Sequence, residues 1–515
     1  MSQTFKQLIA LLSSFSLSLI LLVHAQDQSG FISIDCGATE NSTYTLQASG
    51  LNYIPDTTFI NTGENKLILP EYRDGYILPY ISLRSFPEGI RNCYKINVTS
   101  GIKYLIRAAF LYGNYDGQNK VPDFDLYLGP NLWDSVRFPN ASEATTIKEL
   151  IHVPLRNYIH VCLVNTASGV PFISAIELRP LPNAAYGTQM PNDTLALAVR
   201  YDTGPTALNY TLHRYPSDVH DRFWEPAERS DWTQLSTSST INPDYNHNVP
   251  SFVMRTAATP KRANESLNFY LEPDDQNSAC YLYMHFAEVE ELQANQSRQM
   301  YITKNGQPII KSFSPNYLST DTIRISTAMS ERSYFSIFAA NNSILSPILN
   351  ALEIYTVKEF LQSETNQADD NFDQIFCLLL KMIVEAITNI KATYKIKRNW
   401  QGDPCAPQVY SWEGLNCSYH ANEPPRIISF QVMEYAIRDL SSSGLTGEIA
   451  LSISNLILLQ TLDLSNNNLT GPIPDFLSEL PHLNVLNLEK NNFGGSVPAG
   501  LIEKGRNGSL SLSFV

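Results

Sequence analysis

The stretch LILLQTLDLSNNNLTGPIP, Leu456 to Pro474, decides how the C-terminal part of this 515-residue chain folds. Leu462 and Leu464 return 24 positions later as Leu486 and Leu488, Asn467 as Asn491, Leu469 as Phe493, and Ile473-Pro474 as Val497-Pro498. Gly447, Gly471 and Gly495 keep the same spacing. A fixed period of this length marks a solenoid, whose single coil cannot bury its own apolar face and therefore stacks on neighbours. The alternating leucines predict a short inward-pointing strand. The asparagine predicts a turn whose buried backbone groups are satisfied by a side-chain amide. About three coils fit between Leu440 and Pro498.

The form LxxLxxLxLxxNxLxGxIP, read at Leu456, Leu459, Leu462, Leu464, Asn467, Leu469, Gly471, Ile473 and Pro474, resembles the plant extracellular type of leucine-rich repeat. Its leucines are core residues, so the repeat reports architecture and names no ligand. Counting 24 back from Leu462 and Leu464 reaches Arg438 and Leu440. Residues 430–438 therefore read as an insertion, and the first coil is expected to pack more weakly than the rest. Residues 399–425 hold Asn399-Trp400-Gln401-Gly402-Asp403-Pro404-Cys405, Trp412-Glu413-Gly414 and Cys417, which resemble the N-terminal cap of such repeats. The resemblance implies a Cys405–Cys417 disulfide, a short loop closure worth about 3 kcal/mol, over the open apolar end of the first coil. With no CxxC and no second ligand pair, no metal or other cofactor is expected.

By length the chain holds about three to four domains. Its net charge of −14, with no Lys/Arg cluster, excludes a nucleic-acid partner. Residues 1–25, with Lys6, an apolar run and the ending Val23-His24-Ala25, read as a secretory signal peptide. Export is supported by Asn-x-Ser/Thr sequons at Asn41, Asn97, Asn140, Asn192, Asn209, Asn264, Asn295, Asn341, Asn416, Asn468 and Asn507. No later apolar stretch reaches the roughly 20 residues of a membrane span. The expected location is thus secreted or extracellular. Seven cysteines in an exported chain imply disulfides with one thiol left over, assigned to Cys377.

From Phe31 to about Tyr355, short aromatic and β-branched segments alternate with Gly, Pro, Asn and Asp, the pattern of an all-β sandwich. The region repeats. Glu177 follows Phe110 by 67 positions, and Glu353 follows Phe286 by 67. The two copies lie 176 residues apart, with the junction in Arg179–Pro191. Phe31-Ile32-Ser33-Ile34-Asp35-Cys36-Gly37, Tyr53-Ile54-Pro55-Asp56, Arg84-Ser85-Phe86-Pro87, Arg91-Asn92-Cys93-Tyr94 and Asp221-Arg222-Phe223-Trp224 resemble the tandem malectin-like region of plant receptor kinases.

The expected architecture is multidomain and mainly β, with malectin-like modules at 26–185 and 186–356. A linker follows at 357–398 with an apolar insertion at 371–383, then the cap and the leucine-rich repeats at 426–515, truncated relative to the family. The resemblance implies the ectodomain of a malectin-like leucine-rich-repeat receptor kinase. Such an ectodomain would bind a cell-wall oligosaccharide or secreted peptide, pair with a co-receptor kinase, and stand at the plasma membrane in full-length members. A soluble decoy or an incomplete gene model is the alternative.

No HExxH, GxSxG, phosphate-binding loop or kinase signature set is present, so no enzyme is expected. A remote alternative is a glycosidase using Asp123 and Asp125, or Glu288, Glu290 and Glu291. Malectin itself binds glucose disaccharides. Stacking on aromatic faces makes Tyr112, Asn114, Tyr115 and Asp116 the candidate ligand loop, with a purely structural turn as the other reading of the same residues.

Overall fold

The computed structural model describes residues 28–140, 145–188, 193–204, 213–227, 229–262, 264–272, 278–329, 332–366, four positions between 386 and 393, 401–412, 416–420, 423–429, 440–442, 444–456 and 459–514. The signal peptide, both insertions and Cys377 lie outside the described residues.

The duplication read from Glu177 and Glu353 is carried strand by strand. Strands Ile32–Asp35, Ala175–Leu181, Lys103–Leu111 and Thr145–His152 lie side by side in that order. Strands Thr194–Asp202, Ala351–Lys358, Ser278–Phe286 and Asp321–Met329 repeat the order. Facing them are two further four-stranded sheets: Arg91–Asn97, Tyr158–Ser168, Asp123–Leu128 and Asn131–Val136, and then Leu267–Leu271, Ser333–Ala339, Met300–Lys304 and Gln307–Phe313. Each half has its own core, the first around Phe110, Phe124, Trp133 and Phe172, the second around Leu282, Phe286, Phe335 and Ile337.

The two sandwiches are not beads on a string. Leu150 pairs with Ala196 and Ile151 with Leu195, so the edge strands of the copies join and the chain's main sheet runs unbroken through 10 strands, with an eleventh, Glu225–Pro226, branching off strand Thr194–Asp202. Joining two edges removes two rows of open backbone groups that each half would otherwise expose. The expected boundary at 185/186 falls in the connection between strands Ala175–Leu181 and Thr194–Asp202.

In the solenoid, Thr461–Asp463, Val485–Asn487 and Ser511–Ser513 form a parallel ladder, and Leu462, Leu464, Leu486 and Leu488 are buried behind it. Asn467 does what its position predicted. Its Nδ2 donates to the Leu440 carbonyl at 2.8 Å and the Leu464 carbonyl at 3.0 Å, while its Oδ1 accepts from Leu445 N at 3.0 Å. Asn491 repeats this one coil later, with Leu469 N at 3.0 Å and Leu464 O at 2.7 Å. Asn467→Ala orphans these backbone groups and is expected to cost about 1–3 kcal/mol. Urea unfolding followed by amide exchange in residues 440–470 measures it, and an unchanged midpoint contradicts the assignment.

The cysteine tally needs correction. Cys405 and Cys417 are joined, as the cap resemblance implied, and Cys93 is joined to Cys162 across adjacent strands, 69 residues apart. Cys36, however, is a free thiol sealed in the first core, so Cys377 is not the single unpaired cysteine. Burial raises the Cys36 thiol well above its ordinary range, which keeps it protonated and inert.

Candidate functional site

At the seam between the sandwiches lies a buried network of charge. Arg107 Nη1 donates to Glu177 Oε2 at 2.6 Å, its Nε and Nη2 to Glu149 Oε2 at 3.1 and 2.9 Å, and Nη2 also to the Asp221 carbonyl at 2.6 Å. Glu149 passes the connection across the seam, because its Oε1 accepts from Arg200 Nη2 at 2.6 Å, and Arg200 Nε reaches Glu353 Oε2 at 2.7 Å. Asp221 binds Arg179 and Arg214, Phe223 lies under Arg107 and Arg214, and Trp224 donates to Asp218 at 2.8 Å. The motif Asp221-Arg222-Phe223-Trp224 is therefore the clasp between the copies, and the repeat-marking glutamates Glu177 and Glu353 are its two anchors.

Burial works against ionisation of Glu177. Arg214, Arg179 and Arg107 outweigh it and hold the carboxyl well below the usual range. Glu353 is held down likewise by Arg200, His285 and Arg222. Their stabilising contribution is present above the unfolded-state carboxylate pKa and is lost as pH falls through the depressed values. Three other carboxyls have the opposite sign. Burial pushes Asp202 up to about 7, Asp35 to about 6, and Glu364 to about 7. Each favours the folded state most when protonated, a contribution lost as pH rises through the raised value and worth roughly 2–3 kcal/mol between pH 5 and 8 for Asp202, while buried His152, His160 and His220, lowered to about 4, 3 and 4, act with the opposite sign over the same window. Urea midpoints at pH 5 and 8 test this. Relative to wild type, the Asp202→Asn variant should gain roughly 2–3 kcal/mol from pH 5 to 8, and a difference between the two proteins that does not change with pH contradicts the assignment.

A second junction presents open surface. The cap docks on the outer face of the first sandwich, where Arg91 Nη1 donates to the Ala406 carbonyl at 3.1 Å and its guanidinium lies 5.8 Å from the Tyr410 ring centroid. Asp403 accepts from the backbone of Thr365, Cys405 and Ala406 at 2.8–3.1 Å. Thr365 also donates its hydroxyl to Asp403. The tail from the second sandwich is pinned by Asn131, which exchanges hydrogen bonds with Gln362 N and O at 2.9 and 2.8 Å. Between tail and cap opens a cleft of about 940 Å³, with Pro407, Tyr419, His420, Glu423 and Pro425 among its walls. Leu361 and Val409 stand at its rim 81% and 76% exposed, an arrangement that serves no packing among the described residues.

The ligand loop expected from sequence is placed differently. Tyr112 is fully buried, packed edge-on against Tyr115, with its hydroxyl donating to Asp116 Oδ1 at 2.6 Å. Tyr115 is half-buried against Phe172, and Asn114, at a φ of 48°, accepts from Asn119 N at 2.8 Å. Tyr112 offers no ring face to a sugar, and only Asp116 at the tip is exposed. Of the candidate acids, Asp123 pairs with Arg137 at 3.1 Å, while Glu288 and Glu290 both pair with Arg298 at 2.7 Å. All eight sequon asparagines whose side chains are described, Asn41, Asn97, Asn140, Asn264, Asn295, Asn341, Asn468 and Asn507, are exposed. Asn192, Asn209 and the side chain of Asn416 lie outside the described residues. No helix among the described residues is long and apolar enough to cross a membrane.

Comparison with known proteins supplies the family. The malectin-like domain matches residues 34–357, and a leucine-rich repeat matches 458–480. The leucine-rich-repeat receptor-like serine/threonine-protein kinase At1g05700 of Arabidopsis thaliana is 45% identical over 453 residues, 87% of this chain and 50% of that protein. The chain thus spans about half the length of the curated relatives it matches. Among solved structures, the ANX2 ectodomain of Arabidopsis thaliana aligns with a TM-score of 0.53 at 18% identity, covering 64% of this chain and 97% of that one. The complex of the plant peptide RALF23 with FER and LLG2 contains a chain aligning at 0.51 and 17% identity, covering 64% and 96%. At that identity the likeness is one of fold. The chain belongs to the malectin-like family, carrying the leucine-rich repeat of the receptor-like kinases to which it is similar.

Proposed function

We propose that this chain is the extracellular recognition module of a receptor-like kinase, one that takes a secreted peptide in the cleft between the repeat cap and the tail that follows the second sandwich and pairs there with a co-receptor. The observation that carries the reading is the rim formed by Leu361 and Val409, two large apolar side chains left in water beside a cleft of peptide size. The fold neighbour solved in complex, RALF23 with FER and LLG2, supports a peptide and a third protein as the kinds of partner. Exposure of the sequon asparagines supports placement outside the cell.

The test is capture of a panel of secreted plant peptides by the glycosylated protein, with and without co-receptor ectodomains. Replacing Leu361 and Val409 together by Asp is expected to weaken capture by about 10- to 100-fold, since charge at both rim positions opposes apolar burial. Capture that is absent, or indifferent to both substitutions, sinks the reading.

A further inference from the structure

The outward face of the four-stranded sheet in the second sandwich carries a second, unassigned surface. Strands Leu267–Leu271, Ser333–Ala339 and Met300–Lys304 turn Leu267, Phe269, Phe335, Ile337 and Ile302 into the core. Alternation therefore sends Tyr270, Tyr334, Phe338 and Tyr301 outward. These four form two cross-strand pairs. Tyr270 faces Tyr334 with ring centroids 6.2 Å apart, and Tyr301 stacks on Phe338 at 5.3 Å and 17°. Tyr270 and Tyr334 are 46% and 52% exposed, while Tyr301 and Phe338 are half-buried. Between the pairs lie the half-buried Ser336 and its exposed cross-strand neighbour Asn268, while Thr303 on the other side of Ser336 is buried.

The duplication shows what this face is for in the other copy. Subtracting 176 places Tyr158 and Cys162 where Tyr334 and Phe338 stand, and the strand register puts Tyr127, opposite Cys162, where Tyr301 stands opposite Phe338. That first face is occupied. The Cys93–Cys162 disulfide lies on it, the cap rests on Cys93 through Gln401 and Gly402, and Arg156 ties Tyr158 to the tail at Glu364. In the second copy no cap or tail among the described residues rests on the face; Arg332 leans over the Tyr270 ring, and Phe338 stands where the first copy has the disulfide-bonded Cys162.

We propose that this face is a platform for an extended, neutral glycan chain. It rests on the proposed extracellular placement and on nothing else in that reading. Flat aromatic rings take up the apolar faces of pyranose rings, and interleaved hydroxyl and amide groups bind the sugar hydroxyls. Tyr334 and Phe338 stand four residues apart on one strand, about 13 Å at about 3.3 Å per residue, so a ligand touching both pairs is an elongated chain.

Charge selects its kind. Arg332, 4.2 Å from the Tyr270 ring centroid, is paired with Glu272, leaving Lys311 on the edge strand as the nearby exposed cation of the described sheet. With a net charge of −14, the chain offers little to a polyanion. Exposed sequons at Asn264, Asn295 and Asn341 flank one end of the sheet. Their glycans would crowd a broad protein partner while leaving room for a narrow chain.

Affinity gel electrophoresis of the whole secreted protein tests the platform, with hydroxyethylcellulose, glucomannan or polygalacturonate in the gel. Retardation is expected in at least one neutral gel and less in polygalacturonate. The Tyr270→Ala/Tyr334→Ala variant should weaken it by about tenfold or more, whereas Tyr334→Phe retains it, with all three proteins unfolding at the same midpoint. Migration unaffected by both neutral polymers, stronger binding to polygalacturonate, or full binding by the double alanine variant overturns the proposal. So does binding that appears only after endoglycosidase treatment, because the rings then hold the chain's own glycans. Loss of co-receptor capture in the double variant without any glycan retardation assigns the face to a protein and also overturns it. Glycan retardation with no peptide captured leaves the platform standing and defeats the peptide reading instead.

Discussion

Arg107→Ala is expected to lower the unfolding free energy by about 3–5 kcal/mol, the cost of removing one partner from a buried ionic network. The side chain is fully buried and engages Glu149, Glu177 and the Asp221 carbonyl. Its loss leaves Glu149 bound to Arg200 alone across the seam and strips Glu177 of its shortest arginine bond. Arg107→Lys keeps one charge but not the fork, and should fall between wild type and alanine. Chemical unfolding with both sandwich cores as reporters measures the effect. A loss under about 1 kcal/mol for the alanine variant would show that the network is dispensable.

Gly402→Ala is expected to cost about 2–4 kcal/mol at the docking of the cap, from strain in the left-handed backbone region and from overpacking. Gly402 has a φ of 68°, and a β-carbon there would meet Arg91 Nη2 at 2.7 Å and Cys93 Sγ at 2.8 Å. Neither neighbour can step aside. Arg91 is held by the Ala406 and Gly129 carbonyls at 3.1 and 3.2 Å, and Cys93 by its disulfide. Limited proteolysis should therefore find the cap of the variant released while the paired sandwiches stay resistant. Because the peptide cleft is formed between tail and cap, peptide capture should fall with it. Unchanged proteolysis and capture would show that the cap is not seated on the first sandwich.

What the sequence disclosed and what it hid follow from the range of the interactions. The asparagine ladder was legible because each of its bonds lies within about one coil, at a fixed period. The duplication was legible because Glu177 and Glu353 occupy the same strand position in each copy. Fusion of the two sheets was not, since the pairing of Leu150 with Ala196 uses backbone groups that any edge strand possesses. The ionic clasp was invisible for another reason. Arg107, Glu149, Arg200 and Glu353 are separated by up to 246 positions, and each looks like a surface charge on its own strand.

The candidate loop at Tyr112 shows the limit of residue type as a guide. Aromatic and amide residues in a turn suggested sugar binding, but the same residues hold the turn together through Tyr112, Asp116 and Asn114. The exposed aromatics of the second sandwich were written just as plainly in alternating strands. Choosing between the two sets needed to know which face of each strand meets water.

The central claim is that the two sandwiches act as one body, clasped at the seam, on which the cap and its cleft are mounted. Native-state hydrogen exchange of the whole secreted chain tests it most directly, by comparing the best-protected amides of strands Lys103–Leu111 and Ser278–Phe286. The account predicts the same opening free energy in both strands and an equal drop in both for Arg107→Ala. Protection that differs between them by more than about 2 kcal/mol, or a drop confined to the first sandwich, would contradict it.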